Sequence, residues 1–252
     1  MMADAGLVVT GSDREEGPYL AGLRARGIEV SVGHDAANLG DANPDDGDAI
    51  VFTSAIWPEN PEYALARERG LTMLHRSQAL HWLSRRRRVA AVAGAHGKTT
   101  TTAMLVQILR GLGADPSFVN GGVVRSLGTS AATGSGELFV LEADESDGSF
   151  LLYDAAVALI TNVDPVHLDH YGDAEGYLDA FARFAGGAAE AVVAGEGELL
   201  DEVLGRTRLA DGARILRYGE GEGVDLRVTA VEEGARVSAD LVHEGRTRRV
   251  RL

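Results

Sequence analysis

The sequence predicts an α/β protein of two domains, in which parallel strands alternate with helices and a phosphate-binding loop opens the second domain. Short apolar runs of strand length alternate with segments of helical spacing through most of the chain, a pattern typical of βαβ units. In addition, the apolar run 89–92 leads through a glycine turn into Lys98 and a series of threonines. A strand, a glycine turn and a helix start in this order are typical of phosphate-binding loops.

Length and composition restrict the class of protein. The chain has 252 residues, enough for two modest domains that each bury a core. It has no cysteine, which excludes disulfides and zinc–thiolate sites and fits a reducing compartment, so we expect a cytoplasmic protein. The net charge of -14 argues against nucleic acid as the main partner. The apolar runs are too short to span a bilayer and the N-terminal residues lack the pattern of a signal peptide, so we expect no membrane segment.

The first domain is predicted over residues 1–85. Its helices close at Gly27 and Gly70, and four arginines at 85–88 are interpreted as a solvated hinge rather than as a binding patch. The pattern predicts a small nucleotide-fold domain with a parallel sheet. Strands are expected at 6–10, 28–32, 48–54 and 71–74, and helices at 19–26, 60–69 and 77–84.

The second domain is predicted over residues 86–252. A strand at 89–92 precedes the phosphate-binding loop, and a helix at 100–112 follows it. Further strands are expected at 139–141 and 157–161. After residue 213, short alternating runs separated by glycine turns predict an antiparallel meander at the edge of the sheet. Its four strands are expected at 214–218, 225–231, 235–242 and 247–252.

Lys98 is the residue on which the phosphate-binding prediction depends most. It is the only lysine in the chain, whose other basic side chains are all arginine apart from the histidines. A compact ammonium on a flexible stem fits between phosphates, whereas a planar guanidinium would collide with the loop. Backbone N–H groups and the helix N-terminus complete such a site, and an incidental lysine at a glycine-rich helix start is the less favoured alternative. The predicted nucleotide-binding residues are Gly94, Ala95, His96, Gly97, Lys98, Thr99 and Thr100.

Three polar side chains are candidate magnesium ligands. Thr99 follows the lysine, while Glu142 and His167 follow two successive strands of the second domain. Strand ends of this kind meet at the ligand-binding edge of an open α/β sheet, and magnesium prefers hard oxygen ligands. Each residue also has an ordinary structural explanation, since strand-end acids cap turns and single histidines hydrogen-bond within loops.

Several motifs in order resemble the Mur ligases, and most closely their alanine-adding branch. The phosphate-binding loop at 94–101, the acidic segment 142–149 and the pair Thr161–Asn162 running to 167–169 carry the resemblance. Shorter motifs extend it over nearly the whole chain, at 11–13, 33–35, 53–56, 60–61 and 118–122.

The resemblance implies an ATP-dependent, amide-forming ligase of peptidoglycan precursor synthesis with a Rossmann-like first domain and a central ATP-binding domain. In this family the carboxylate of UDP-N-acetylmuramate attacks the γ-phosphate of ATP, and the amino group of L-alanine displaces the resulting acyl phosphate. Matched by position, Lys98, Glu142 and His167 are the catalytic residues, and Thr99, Glu142 and His167 hold magnesium. His96, Arg76, Asn120 and Gly121 are implied to face the sugar nucleotide.

The chain also departs from the family pattern. Ala95 replaces a threonine, Val166 an aspartate and Asp164 a glutamate, and residues 194–197 replace an Asn-x-Asp-Asp turn. The first strand with its UDP-binding glycine loop and the C-terminal amino-acid-binding domain have no counterpart. We therefore expect a fragmentary or truncated ligase, to which a separate chain could supply the missing domain. Two alternatives stay open: a degenerate Mur-like nucleotide-binding protein, and a Mur-like amide ligase of specialised metabolism.

Overall fold

The computed structural model describes residues 1–166, 168–234 and 236–251. The chain divides into two compact units, Met1–Leu83 and Ser84–Leu252, which we call the N-terminal and the C-terminal unit. In the described ranges, no helix has both the length and the apolar character needed to cross a membrane. The fold class is mixed α/β with parallel sheets, as the alternating pattern predicts.

The N-terminal unit has four strands in two separate two-stranded parallel sheets, β1 with β2 and β3 with β4. Two short 3-10 helices lie between β2 and β3, the first capped by Asp35 and the second by Asn43. The sequence pattern implied one parallel sheet here, and the structure divides it in two. The strands are β1 (Thr10–Asp13), β2 (Glu29–Val32), β3 (Ala49–Phe52) and β4 (Thr72–His75), and the helices are α1 (Pro18–Ala25), α2 (Pro61–Glu68) and α3 (Arg76–Ser84).

The predicted strand at 6–10 is wrong in position. The parallel ladder pairs Thr10–Asp13 with Glu29–Val32. Leu7 and Val8, which suggested a buried strand, are 46% and 98% exposed. An apolar run becomes a buried strand only where a neighbouring strand pairs with it, and here the pairing begins where the apolar run ends.

The C-terminal unit contains a ten-stranded sheet in the order β14-β13-β12-β11-β10-β9-β5-β8-β6-β7. The central strand β5 pairs in parallel with both β8 and β9, so the loop that follows β5 lies at the middle of the sheet. The strands are β5 (Arg88–Ala93), β6 (Ser117–Val124), β7 (Thr129–Ala132), β8 (Leu138–Glu142), β9 (Ala155–Ile160), β10 (Ala191–Ala194), β11 (Arg214–Gly219), β12 (Leu226–Glu232), β13 (Ser238–His243) and β14 (Arg246–Arg251), and the helices are α4 (Lys98–Gly111), α5 (Leu168–Tyr171), α6 (Ala174–Gly186) and α7 (Glu198–Arg206).

The predicted antiparallel meander is confirmed for three of its four strands. β12, β13 and β14 are antiparallel neighbours, but β11 is parallel to both β10 and β12. The β11–β12 pairing is short, and Asp225 holds it by exchanging hydrogen bonds with the backbone of Arg217. Two bounds of the predicted strands, Ala235 and Leu252, lie outside the described residues.

Aromatic and aliphatic side chains from α6 and α4 form the core of the C-terminal unit. On α6, the ring centroid of Phe181 lies 5.2 Å from that of Phe150 and 5.0 Å from that of Tyr177. On α4, Val106 belongs to a buried cluster with Phe118 and Val140 of the sheet. Close-packed interiors of this kind have well-defined side-chain positions, so the sheet is a rigid support for the loops at its edge.

Candidate nucleotide-binding site

Two glycines shape the loop between β5 and α4. Gly97 precedes the first residue of the helix and has a φ of 81°, in the left-handed region that favours glycine. Gly94 has a φ of 135°, and a Cβ added there would lie 2.1 Å from Thr161 Oγ1. The first N–H groups of α4 have no partner within the helix and point out of its positive end. The loop therefore has the backbone donors that a phosphate group needs.

The end of β9 holds this loop in place through the backbone of His96. The N–H of His96 donates to Asn162 Oδ1 at 2.9 Å, and the His96 carbonyl accepts from Asn162 Nδ2 at 2.8 Å. The Thr161 hydroxyl donates to the same carbonyl at 2.7 Å. The His96 side chain itself is exposed and lies 3.7 Å from Asp164. The Thr161–Asn162 pair is visible as a motif in the sequence, but the sequence does not predict that its side chains hydrogen-bond to the loop backbone.

Lys98 lies against the loop backbone and against a buried carboxylate. Its ammonium donates to the Gly94 carbonyl at 2.7 Å and to Glu145 Oε1 at 3.0 Å. The same nitrogen is 2.8 Å from Glu145 Oε2. Glu145 is only 1% exposed. Glu145 cannot be singled out from the sequence, because in the acidic segment 142–149 its residue type does not distinguish it from its neighbours.

Thr99, Glu142 and Gly121 meet beside the loop, although they come from α4, β8 and β6. The Thr99 hydroxyl donates to Glu142 Oε1 at 2.9 Å, and the Gly121 N–H donates to Glu142 Oε2 at 2.6 Å. A Cβ at Gly121 would lie 2.7 Å from that carboxylate, so only glycine fits there without displacing Glu142. Two hard oxygen donors are thus adjacent to the phosphate-binding loop.

These donors fit magnesium, which is usually held by one or two protein oxygens together with phosphate oxygens and water. Within the described part of the chain, no group of three or more His, Asp or Glu side chains is arranged to hold a metal ion by itself. The third predicted ligand, His167, lies outside the described residues. The metal assignment of Thr99, Glu142 and His167 stays a prediction.

The remaining predicted substrate residues belong to different units. Asn120 is buried next to Gly121, and its side-chain amide donates to the Gly122 carbonyl at 2.9 Å. Asn120 Oδ1 accepts no hydrogen bond from the residues that the structure describes. Arg76 is exposed at the start of α3, in the N-terminal unit.

Two tyrosines lie close to the acidic segment that carries Glu145. The Tyr171 hydroxyl donates to the backbone carbonyl of Glu145. Burial, with further contributions from Glu145, Asp147 and Asp144, raises the pKa of Tyr171 to about 12. Burial and the charge of Glu145 also raise the pKa of Tyr177. Both hydroxyls are therefore neutral hydrogen-bond donors at pH 7.

A second candidate site is a cavity of about 470 Å³ in the N-terminal unit. Near it in sequence, Glu62 of α2 joins β1 to the turn that follows β2. The Ser12 hydroxyl donates to Glu62 Oε2 at 2.7 Å, and Asn38 Nδ2 donates to Oε1 at 2.7 Å. The cavity is lined by Arg14, His34, Ala55, Ile56, Trp57, Glu59 and Asn60.

Comparison with known protein families assigns both units. Residues 1–88 match the catalytic domain of the Mur ligase family, and residues 92–247 match the Mur ligase middle domain. This chain belongs to the Mur ligase family. The resemblance read from the motifs is thereby confirmed.

Individual Mur ligases are similar over nearly the whole chain. The UDP-N-acetylmuramate–L-alanine ligase of Clavibacter sepedonicus is 54% identical over 98% of this chain and 50% of that protein. The solved UDP-N-acetylmuramate-alanine ligase of Thermotoga maritima is 28% identical, with a TM-score of 0.81 over 99% of this chain and 56% of that one. A UDP-N-acetylmuramate:L-alanyl-gamma-D-glutamyl-meso-diaminopimelate ligase from Neisseria meningitides is 27% identical, with a TM-score of 0.79 over 98% of this chain and 80% of that one. The chain spans about half the length of the curated relatives it matches.

Proposed function

We propose that this chain carries the nucleotide-binding part of an ATP-dependent ligase that joins L-alanine to UDP-N-acetylmuramate through an acyl phosphate. The observation that carries the proposal is the site around Lys98, where a phosphate-binding loop, an ammonium and the Thr99–Glu142 oxygen pair meet at the edge of the central strands. The relatives that are similar to this chain over most of its length are ligases of UDP-N-acetylmuramate, which supports the choice of reaction.

In this proposal the protein acts mainly by alignment and charge neutralisation. The backbone N–H groups of the loop and the first turn of α4 would hold the β- and γ-phosphoryl oxygens, and the Lys98 ammonium would neutralise them. Thr99, Glu142 and His167 would hold magnesium, which when bound spreads the negative charge of the triphosphate. Asn162 and Thr161 would keep the loop in one conformation through the His96 backbone.

The overall reaction balances without a further reactant. A carboxylate oxygen of the sugar forms a bond to the γ-phosphorus, and the bond from that phosphorus to the β–γ bridging oxygen breaks, so that ADP leaves. The amino nitrogen of alanine then forms a bond to the acyl carbon, the bond from that carbon to the phosphate oxygen breaks, inorganic phosphate leaves, and the nitrogen releases a proton to solvent. No covalent bond to the protein is required, so the rate depends on positioning and electrostatics.

We assign the UDP-sugar to the N-terminal unit as a further part of the proposal. The cavity there has about the volume of a small-molecule site, and Arg14 and His34 line it together with Trp57. An arginine suits a diphosphate, and an indole ring suits a base by stacking. His96, Arg76, Asn120 and Gly121 stay predicted contacts of the sugar nucleotide.

The proposal assigns only part of the ligase reaction to these 252 residues, because the related ligases are about twice as long as the matched region. Alanine binding would then use residues beyond this region, in the same protein or in a separate chain. Since ATP and a UDP-sugar are cytoplasmic metabolites, we place the reaction in the cytoplasm.

Calorimetry of Mg·ATP binding tests the nucleotide assignment. We expect the wild-type chain to bind and Lys98→Ala to bind about 100-fold more weakly, since charge-assisted hydrogen bonds to phosphate are worth roughly 1.5–3 kcal/mol each. Arg110→Ala is the matched control, because it removes a positive charge at the opposite end of the same helix. Its affinity should equal that of the wild type.

Each result separates the proposal from its alternatives. Absence of Mg·ATP binding by the wild-type chain would contradict the proposal. Binding without any ATP-dependent amide formation, measured with UDP-N-acetylmuramate and L-alanine in the presence of the C-terminal domain of a related ligase, would favour the degenerate nucleotide-binding protein. Turnover with a different carboxylate would favour a ligase of specialised metabolism.

A further inference from the structure

The Lys98 ammonium, which the proposed function assigns to phosphate, is in contact with protein oxygens. The nitrogen carries three N–H donors, of which one is directed to the Gly94 carbonyl and one to Glu145 Oε1. Glu145 Oε2 lies 2.8 Å from the same nitrogen, and the Ala95 carbonyl lies farther away, at 3.5 Å. A phosphate that binds Lys98 strongly must therefore replace one of these contacts, and the carboxylate is the only charged one among the described partners.

We propose that Glu145 is an internal competitor for Lys98, which lowers the affinity of the loop for phosphate and releases the lysine when a nucleotide enters. This inference rests on the proposed function, because it takes Lys98 to be the phosphate-binding lysine. Glu145 is a positioning residue in this account, since it acts on phosphate only through Lys98.

The geometry determines which partner moves. The backbone carbonyl of Glu145 accepts hydrogen bonds from the Gly148 N–H at 3.0 Å and from the Tyr171 hydroxyl. The carboxylate side chain is 2% exposed, against 16% for the Lys98 side chain. Glu145 is thus fixed and enclosed, whereas the lysine has a flexible four-carbon stem. Exchange therefore proceeds by movement of the lysine away from the carboxylate.

A buried carboxylate that loses its cation needs another donor, since an uncompensated buried charge is strongly destabilising. Tyr177 supplies a candidate. Its hydroxyl is buried and has no hydrogen-bond partner among the described residues, and Glu145 Oε2 likewise accepts no hydrogen bond of good geometry there. The Tyr177 ring packs at 5.2 Å against Tyr171, which contacts the Glu145 backbone. Departure of Lys98 removes the ammonium from Glu145 Oε2, and the unpaired hydroxyl of Tyr177 in the same buried region can then donate to the carboxylate.

The test is the affinity for Mg·ADP, measured by calorimetry on the full chain. Glu145→Gln removes the competing charge and should tighten binding about tenfold, the size of one charge-assisted hydrogen bond. Glu137→Gln is the matched control: it makes the same chemical change at an exposed position before the opposite end of β8. It should leave the affinity unchanged. Unchanged or weaker binding by Glu145→Gln would overturn the inference.

A double-mutant cycle shows whether the effect passes through Lys98. In the Lys98→Ala background, the Glu145→Gln change should no longer tighten binding. An equal gain in both backgrounds would mean that Glu145 repels phosphate directly, which overturns the competition. Because Lys98 is the only lysine, protein labelled with 13Cε-lysine gives one lysine signal. That signal should move on Glu145→Gln substitution without nucleotide, and an unmoved signal would contradict the ion pair.

Tyr177→Phe gives an independent result of opposite sign, and it decides the question if Glu145→Gln does not fold. Removal of the hydroxyl leaves Glu145 without its second donor after exchange, so Mg·ADP binding should weaken about threefold, within the value of one neutral hydrogen bond. Unchanged binding would overturn the exchange. If the wild-type chain binds no Mg·ADP, the proposed function fails separately. Even then, Mg·ADP binding gained by Glu145→Gln would support the competition between Glu145 and phosphate for Lys98. Absence of such a gain would overturn it.

Discussion

One carboxylate in each unit joins distant segments, but the donors that it meets differ. In the N-terminal unit, Glu62 of α2 accepts hydrogen bonds from the neutral side chains of Ser12 and Asn38, and Asn60, at the start of the same helix, lines the cavity. In the C-terminal unit, Glu145 is enclosed and paired with the ammonium of Lys98. Hydrogen bonds from neutral donors fix the shape of a loop without a counter-charge. In a buried ion pair, by contrast, a charged ligand can replace one of the two partners. The comparison indicates a preformed cavity in one unit and an exchangeable contact in the other.

The hydrophobic cores of the two units also differ. Within residues 1–83, all of which the structure describes, the buried apolar side chains are few and include no aromatic ring: Leu20, Ala66, Leu71, Ala79 and Leu80. In the C-terminal unit, large rings such as Phe150 and Phe181 are fully buried and pack against each other. The free energy of unfolding rises with the apolar area that is removed from water. We therefore expect the C-terminal unit to be the more stable of the two.

The largest effect that tests this comparison is expected from Phe181→Ala. Loss of this buried ring should lower the free energy of unfolding of the C-terminal unit by about 3–5 kcal/mol, whereas Leu20→Ala should lower that of the N-terminal unit by about 2 kcal/mol. Urea unfolding distinguishes the units, because both tryptophans, Trp57 and Trp82, lie in the N-terminal unit. Tryptophan fluorescence therefore follows that unit, and circular dichroism follows mainly the ten-stranded sheet. A larger effect of Leu20→Ala would reverse the comparison.

A smaller effect is expected from Glu62→Ala. The change leaves the donors of Ser12 and Asn38 without their shared acceptor, which should cost the N-terminal unit about 1–3 kcal/mol in free energy of unfolding. Tryptophan fluorescence during urea unfolding measures this loss. Glu68→Ala, at the exposed end of the same helix, is the control and should change stability by less than about 0.5 kcal/mol. Equal losses in the two variants would show that the Glu62 network contributes nothing to the unit.

The smallest effect is expected at alkaline pH, in the C-terminal unit. Because the folded-state pKa of Tyr171 is raised to about 12, the folded protein keeps a proton that the unfolded chain loses near pH 10. Stability is therefore complete below pH 10 and falls as the pH rises toward 12. Since Tyr171 is only partly buried, solvent screening keeps this loss to about 1 kcal/mol.

Thermal unfolding followed by circular dichroism between pH 9 and 12 measures the alkaline loss. Tyr171→Phe should make the loss smaller without abolishing it, because the pKa of Tyr177 is also raised, whereas Tyr19→Phe, which changes an exposed residue of the N-terminal unit, should leave the profile as it is in the wild type. A wild-type profile that is already flat in this range would contradict the raised pKa of Tyr171.

Much of the fold could be predicted from local patterns. The strand before the phosphate-binding loop, the helix after it and the strands β8 and β9 are confirmed close to their predicted bounds. Residues in these elements follow one another in sequence, and periodicity is a property of neighbouring residues. The prediction was wrong for the first strand and for the direction of β11, because pairing depends on which distant segment lies alongside.

The family, the predicted phosphate-binding loop and the exceptional status of Lys98 as the only lysine are all visible in the amino-acid sequence. These features are contiguous, and their residue types are restricted by the chemistry of phosphate binding. Tertiary structure alone decided that Glu145 pairs with Lys98, that Asn162 holds the backbone of His96 and that Gly121 leaves room for Glu142. Each of these contacts joins segments that are distant along the chain. The order of strands in the sheet brings them together, and no local pattern of residue types encodes that order.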